Sequence, residues 1–127
     1  EKAVRHYCAA VSITSGISIN VESIYEQPVE MNSQFAFQVF RVVQELLQNI
    51  IKHSNATQAI VQLSFDAGML SITIEDNGQG FEKSMLKENG GIGLKNVESR
   101  LKILHGHMDI QSQPGKGTSV FAQVPYR

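Results

Sequence analysis

Two alternating segments constrain this chain most: Val61, Leu63 and Phe65, then Leu70, Ile72 and Ile74, separated by Asp66-Ala67-Gly68. Apolar residues at every second position describe a strand with one buried face. A short turn ending in glycine joins the two as a hairpin, so they pair antiparallel. A second hairpin closes the chain, with 107–113 and 118–125 on either side of a Pro114-Gly115 turn. An earlier alternation, Ile17, Ile19 and Val21, adds another strand. Hairpin-linked strands give a mixed sheet, antiparallel over much of its area.

Helical spacing fills the intervals. Val4, Cys8 and Val11 predict a helix over 1–14, ended by Gly16 as a C-terminal cap. Asn32 or Ser33 caps a long helix to about His53, buried through Phe40, Val43, Leu47 and Ile50. A third helix, 94–105, buries Leu94, Val97, Leu101 and Leu104. The order is α-β-α-β-β-loop-α-β-β. Three helices cover one face of such a sheet, which makes a two-layer α/β sandwich. The stretch 77–93 is polar and glycine-rich, with only a weak helical piece near Phe81 to Leu86. A loop of that length inside a compact domain is usually functional, often a lid.

Composition narrows the function classes. The chain has 127 residues, enough for one domain, 42% hydrophobic and 18% charged, as in globular proteins. Its net charge of −1 and lack of a basic run argue against nucleic-acid binding, which needs concentrated positive charge. The apolar runs are too short to cross a bilayer. Cys8 is the only cysteine, which excludes an internal disulfide and reads as a small buried residue on a helix. The chain opens on Glu1 inside a helical stretch. We therefore read 1–127 as one domain excised from a longer protein.

Several residues carry chemistry. Arg41, Glu45, Asn49 and His53 recur at i, i+4, i+8 and i+12, forming one polar stripe with Lys52 beside it. An amide oxygen suits Mg²⁺, and a carboxylate one turn away can orient or deprotonate a water. Taken alone, the stripe reads better as a solvated face with an i,i+4 charge pair. Asp76 is more telling. It is in phase with Leu70, Ile72 and Ile74, so its carboxylate points to the core side, where it needs a donor such as an amino group. Gly78 and Gly80 then allow close approach to a flat ring. The competing reading is an Asp-Asn-Gly turn capped by the aspartate. The in-phase position favours the ligand.

Gly91-Ile92-Gly93 precedes the helix at 94, where free N–H groups and a positive dipole end attract phosphates. These glycines equally suit a lid anchor. Neither the dinucleotide fingerprint nor the Walker loop has this context. Gly115 and Gly117 read as turn residues. Thr118 is in phase with Val120, Ala122 and Val124, so its hydroxyl needs either a ligand or a backbone partner. His6, His105 and His107 lack metal-ligand partners and read as surface or satisfied histidines.

Together these pieces resemble the ATP-binding domain of bacterial sensor histidine kinases, within the superfamily shared with gyrase, mismatch-repair and chaperone ATPases. Glu45-Leu46-Leu47-Gln48-Asn49-Ile50-Ile51-Lys52-His53 resembles the N box, and Asp76-Asn77-Gly78-Gln79-Gly80 the G1 box. Gly91-Ile92-Gly93-Leu94 resembles the G2 box, and Gly115-Lys116-Gly117-Thr118 the G3 box. The short lid and the run from Gly93 to Arg100 are most similar to the subfamily of nitrate sensors and desaturase-controlling thermosensors.

The resemblance implies the Bergerat fold, with ATP and Mg²⁺ as cofactors. Asn49 would ligate Mg²⁺ at the phosphates, and Glu45 would activate a water or hydroxyl. Lys52 and His53 would lie near the phosphates. Asp76 would receive the adenine amino group, with Gly78 and Gly80 shaping the pocket. Gly91, Gly93 and Leu94 would line the nucleotide, the glycines letting the lid close. Thr118 would support the adenine. Two features depart from the pattern. Phe81 is the only candidate for the phenylalanine box. The phosphoacceptor histidine and its two-helix dimerisation domain are missing, and His6 lacks the acidic neighbour expected of such a histidine.

This chain is thus expected to bind ATP, as a monomer, without autophosphorylating. Its parent, a homodimer, would pass the γ-phosphoryl to a histidine and then to an aspartate of a response regulator. It would be cytoplasmic or anchored in the bacterial inner membrane. Two alternatives stand: an anti-sigma-factor serine kinase of the same fold, and a degenerate nucleotide-sensing module. Intact Asn49, Asp76 and glycine turns count against the second.

Overall fold

A computed structural model describes residues 2–24, 33–53, 56–66, 68–78, 91–112, 115 and 117–125; the side chains at 2–5, 14, 24, 50–53, 91–95 and 112 are excepted. The elements in order are α1 (Lys2–Ser15), β1 (Ser18–Ile24), α2 (Ser33–His53), β2 (Gln58–Asp66), β3 (Met69–Asp76), α3 (Gly91–Ile103), β4 (His107–Ser112) and β5 (Thr118–Pro125). The five strands form one sheet in the order β1-β2-β3-β5-β4. β1 and β2 run parallel, as their connection through α2 permits, and every other pair is antiparallel.

The three helices share one face of this sheet, as the patterning predicts. Val61 and Leu63 of β2, Leu70, Ile72 and Ile74 of β3, and Val120, Ala122 and Val124 of β5 point toward them. Cys8, Val39, Val42, Val43, Leu46, Leu47, Val97 and Leu101 meet those strands from the helices. Alternate residues face away, so Ile60 and Phe121 lie exposed on the opposite face. The buried arc of α2 is wider than the predicted stripe. Phe40 is only partly buried, set edge-on to Tyr7 at 5.8 Å, while Val39, Val42 and Leu46 join the core. α2 touches α1, α3 and β3, and an element packed on three sides buries more than one narrow seam. No helix among the described residues is long and apolar enough to cross a membrane.

The ends of α3 differ from expectation. The helix starts at Gly91 rather than 94, taking both glycines into its first turn. Glycine adopts helical angles freely, and first-turn N–H groups need no partner within the helix. At the other end, His105 N–H donates to Lys102 carbonyl at 3.1 Å and Gly106 N–H to Leu101 carbonyl at 2.7 Å. This is a Schellman closure. His105, not glycine, takes the left-handed angle, with φ 60°. A side chain at Gly106 would meet Gln123 carbonyl at 2.6 Å, so glycine is required there for close packing against β5.

The weak helical piece near 81–86, Gln79, Gly80 and the Asn32 cap lie outside the described residues.

Candidate functional site

The site begins at the last residue of β3. The antiparallel register sets Asp76 opposite Ala59 of β2 and Thr118 of β5. Since Leu70, Ile72 and Ile74 are buried on the helix side, a period of two carries Asp76 to that side as well. Its two oxygens have different fates. Oδ1 accepts the Gly78 N–H at 2.8 Å, the aspartate-capped turn weighed above. Oδ2 is buried with no hydrogen-bond partner among the described residues. The turn reading and the ligand reading therefore occupy different atoms of one carboxylate. Burial pushes this carboxyl above its ordinary range, opposed by backbone hydrogen bonding from Gly78 and Thr118. Gly78 itself is buried.

β5 enters against the same residue. Thr118 is buried in the row of Val120, Ala122 and Val124. Gly117 has φ 80° and lies so close to the Asp76 carbonyl that a Cβ would overlap it. Glycine meets both demands, the left-handed angle and the close approach. The pieces read as separate turns, Asp76-Asn77-Gly78 and Gly117-Thr118, are thus one structure.

The α2 stripe adds a second group. Glu45 Oε1 lies 3.8 Å from Arg41 and accepts Arg100 Nε at 3.2 Å. Arg100 also donates to Gln38 Oε1 at 3.0 Å, and Arg41 to Gln44 Oε1 at 2.6 Å. Glu45 Oε2 and Asn49 Nδ2, like Asp76 Oδ2, are buried without partners among the described residues. A half-turn of the amide exchanges nitrogen for oxygen, so Asn49 can present either a donor or an oxygen ligand. Burying such groups unpaired is unfavourable, and a bound molecule would relieve it. Among the described residues four buried side-chain atoms are in this condition: three belong to Glu45, Asn49 and Asp76, and the fourth is Ser23 Oγ. An acceptor aimed inward beside a buried glycine fits an amino-bearing ring. A neighbouring amide and carboxylate fit a hard cation and its water.

Lys52 and His53 end α2, and Gly91, Gly93 and Leu94 begin α3, but their side chains lie outside the described residues, as does all of Gly80. His6, His105 and His107 are exposed, and no metal-binding cluster of His, Cys, Asp or Glu occurs among the described residues. Sequence reading missed Arg100 and Gln38. Nothing local marks Arg100, because it lies 55 positions from its partner Glu45.

Known proteins resemble this chain in sequence and in fold. Residues 36–127 match the family model of histidine kinase-, DNA gyrase B- and HSP90-like ATPases. The histidine-protein kinase/phosphatase DegS of Brevibacillus brevis is 36% identical over 68% of this chain and 22% of its own length. The oxygen sensor histidine kinase NreB of Staphylococcus carnosus is 27% identical over 98% of this chain and 36% of its own. The chain thus spans well under half of either relative. The histidine kinase domain of the blue-light activated kinase from Erythrobacter litoralis EL346 shares the fold. It has a TM-score of 0.76 at 23% identity, covering 96% of this chain and 58% of that one. A mixed five-stranded sheet under three helices, with the match running from α2 to the chain's end, places this chain in the family of histidine kinase-, DNA gyrase B- and HSP90-like ATPases.

Proposed function

We propose that this chain is the ATP-binding domain of a sensor histidine kinase. It binds ATP with Mg²⁺ and presents the γ-phosphoryl to a phosphoacceptor histidine of its parent protein, for onward transfer to a response-regulator aspartate. The single observation that carries this reading is Asp76 Oδ2, buried and without a partner among the described residues at the end of a central strand while Oδ1 anchors the turn. That oxygen accepts the adenine amino group, and the buried Gly78 gives the ring room. Asn49 and a phosphate oxygen would hold Mg²⁺, which supplies charge neutralisation at the phosphates. Glu45, held at Oε1 by Arg100, keeps Oε2 to orient the proton of a water or hydroxyl. The N–H groups of the first turn of α3, from Gly91 to Leu94, point at the phosphates, and Lys52 and His53 end α2 near them. The sensor-kinase names of the relatives favour this reading over the anti-sigma kinase.

Calorimetric titration with a non-hydrolysable ATP analogue, with and without Mg²⁺, tests it. Binding strengthened by Mg²⁺ is expected, and absence of binding in both conditions refutes it. Asn49→Ala should abolish the Mg²⁺ enhancement while leaving metal-free affinity nearly intact. Equal loss in both conditions would remove Asn49 from the metal.

A further inference from the structure

Asn77 follows Asp76 and looks from the sequence like an ordinary turn residue. Its side chain is engaged by the entry to β2. Oδ1 accepts the backbone N–H groups of Thr57 and Gln58, each at 2.9 Å. Nδ2 donates to Thr57 Oγ1 at 2.9 Å, and the Asn77 backbone N–H donates to the Gln58 carbonyl at 3.2 Å. The Thr57 carbonyl in turn accepts Ser18 N–H at 2.9 Å, at the start of β1. Asn77 therefore clips the exit of β3 to the entry of β2, where β1 also begins.

The clip has a consequence for its neighbour. Asp76 is held by the sheet on one side, opposite Ala59 and Thr118, and by the clip on the other. With both flanking peptides fixed, the Gly78 N–H arrives at Oδ1, and Oδ2 is left as the buried, unpaired oxygen. Without the clip, residues 77 and 78 could rotate together and carry the Gly78 N–H off Oδ1. A partner that reads one purine edge depends on that aim.

We propose that Asn77 is a positioning residue for Asp76: its three side-chain hydrogen bonds set the aim of Oδ2 and thereby the preference for a 6-amino over a 6-oxo purine. This rests on the nucleotide reading of Asp76 given above. The test measures ADP and inosine diphosphate affinities of this chain by calorimetry. Both ligands carry the same phosphates, so their affinity ratio isolates the base edge.

Wild type should prefer ADP. Asn77→Ala should lower ADP affinity by about tenfold, the scale of one hydrogen bond to a charged group, and leave inosine diphosphate within about twofold. In an Asp76→Asn background the same change should have no further effect on the ratio. Asn77→Asp keeps an acceptor for both amides and can accept from the Thr57 hydroxyl, so it should restore the ratio. If Asn77→Ala does not fold, Thr57→Val, which removes the acceptor of Nδ2, carries the same measurement with a smaller drop in the ratio. Equal loss for both nucleotides, or an undiminished effect in the Asp76→Asn background, overturns the proposal. The underlying reading fails separately, if Asp76→Asn alone leaves the wild-type ratio unchanged.

Discussion

Replacing Asp76 by asparagine separates what the residue does for the fold from what it does for a ligand. The substitution keeps the shape and an oxygen to accept Gly78 N–H, now 2.8 Å from Oδ1. It removes the charge and turns the buried, unpartnered Oδ2 into an amide donor. Two effects of opposite sign follow. The ligand loses a charge-assisted acceptor, which costs about 1.5–3 kcal/mol, or roughly ten- to hundredfold in ADP affinity. The unliganded protein loses a desolvated charge and becomes more stable at neutral pH.

The pH dependence gives the second effect a signature. The native carboxyl lies above its ordinary value of 3.8, because of burial. A native state that binds the proton more tightly gains stability as pH falls from above the native value towards the unfolded one. The wild-type penalty is thus fully present at neutral pH and relieved in acid. Asp76→Asn lacks that component, so its advantage over wild type should be largest at pH 7 and shrink as the pH approaches 3.8. Urea denaturation across pH, run beside calorimetric ADP titration, reads both effects. A variant with unchanged ADP affinity would refute the ligand role of Oδ2. A variant less stable than wild type at pH 7 would show that the backbone bonds to the carboxylate from Gly78 and Thr118 outweigh its burial penalty.

Other perturbations address the frame around the site. Arg100→Ala removes the Nε bond to Glu45 and the bond to Gln38 between partly buried side chains, and should cost about 1–2 kcal/mol in urea denaturation; an unchanged midpoint would mean the pair is idle. Gly117→Ala meets both a φ of 80° and the Asp76 carbonyl, and should destabilise by about 2 kcal/mol or more by the same method. A neutral result would show that β5 can shift without disturbing β3. Cys8 is 1% exposed, and burial pushes its thiol up to about 11. It should resist a disulfide reagent at pH 8 and react only as the protein unfolds. Rapid labelling of the native protein would contradict its place in the core.

Much of this protein is written in local periodicity. Alternation marks β2, β3 and β5, and the same alternation puts Asp76 and Thr118 on the helix side, because a strand's side chains repeat every two residues whatever surrounds them. The span of α2 follows equally from its apolar spacing and its start at Ser33. What the sequence could not decide depends on distant partners. Asn77 became a clip only because Thr57 and Gln58, at the entry to β2, lie 20 and 19 positions earlier, and Glu45 is held by an arginine three elements further on. Gly117 is obligatory because β5 lies beside β3, a neighbour its own sequence does not name. The left-handed residue after α3 is His105 rather than a glycine, while Gly106 next to it packs against the Gln123 carbonyl. Periodicity records which face of an element is buried. Which atoms meet across elements is settled only when the sheet closes and the backbones reach contact distance.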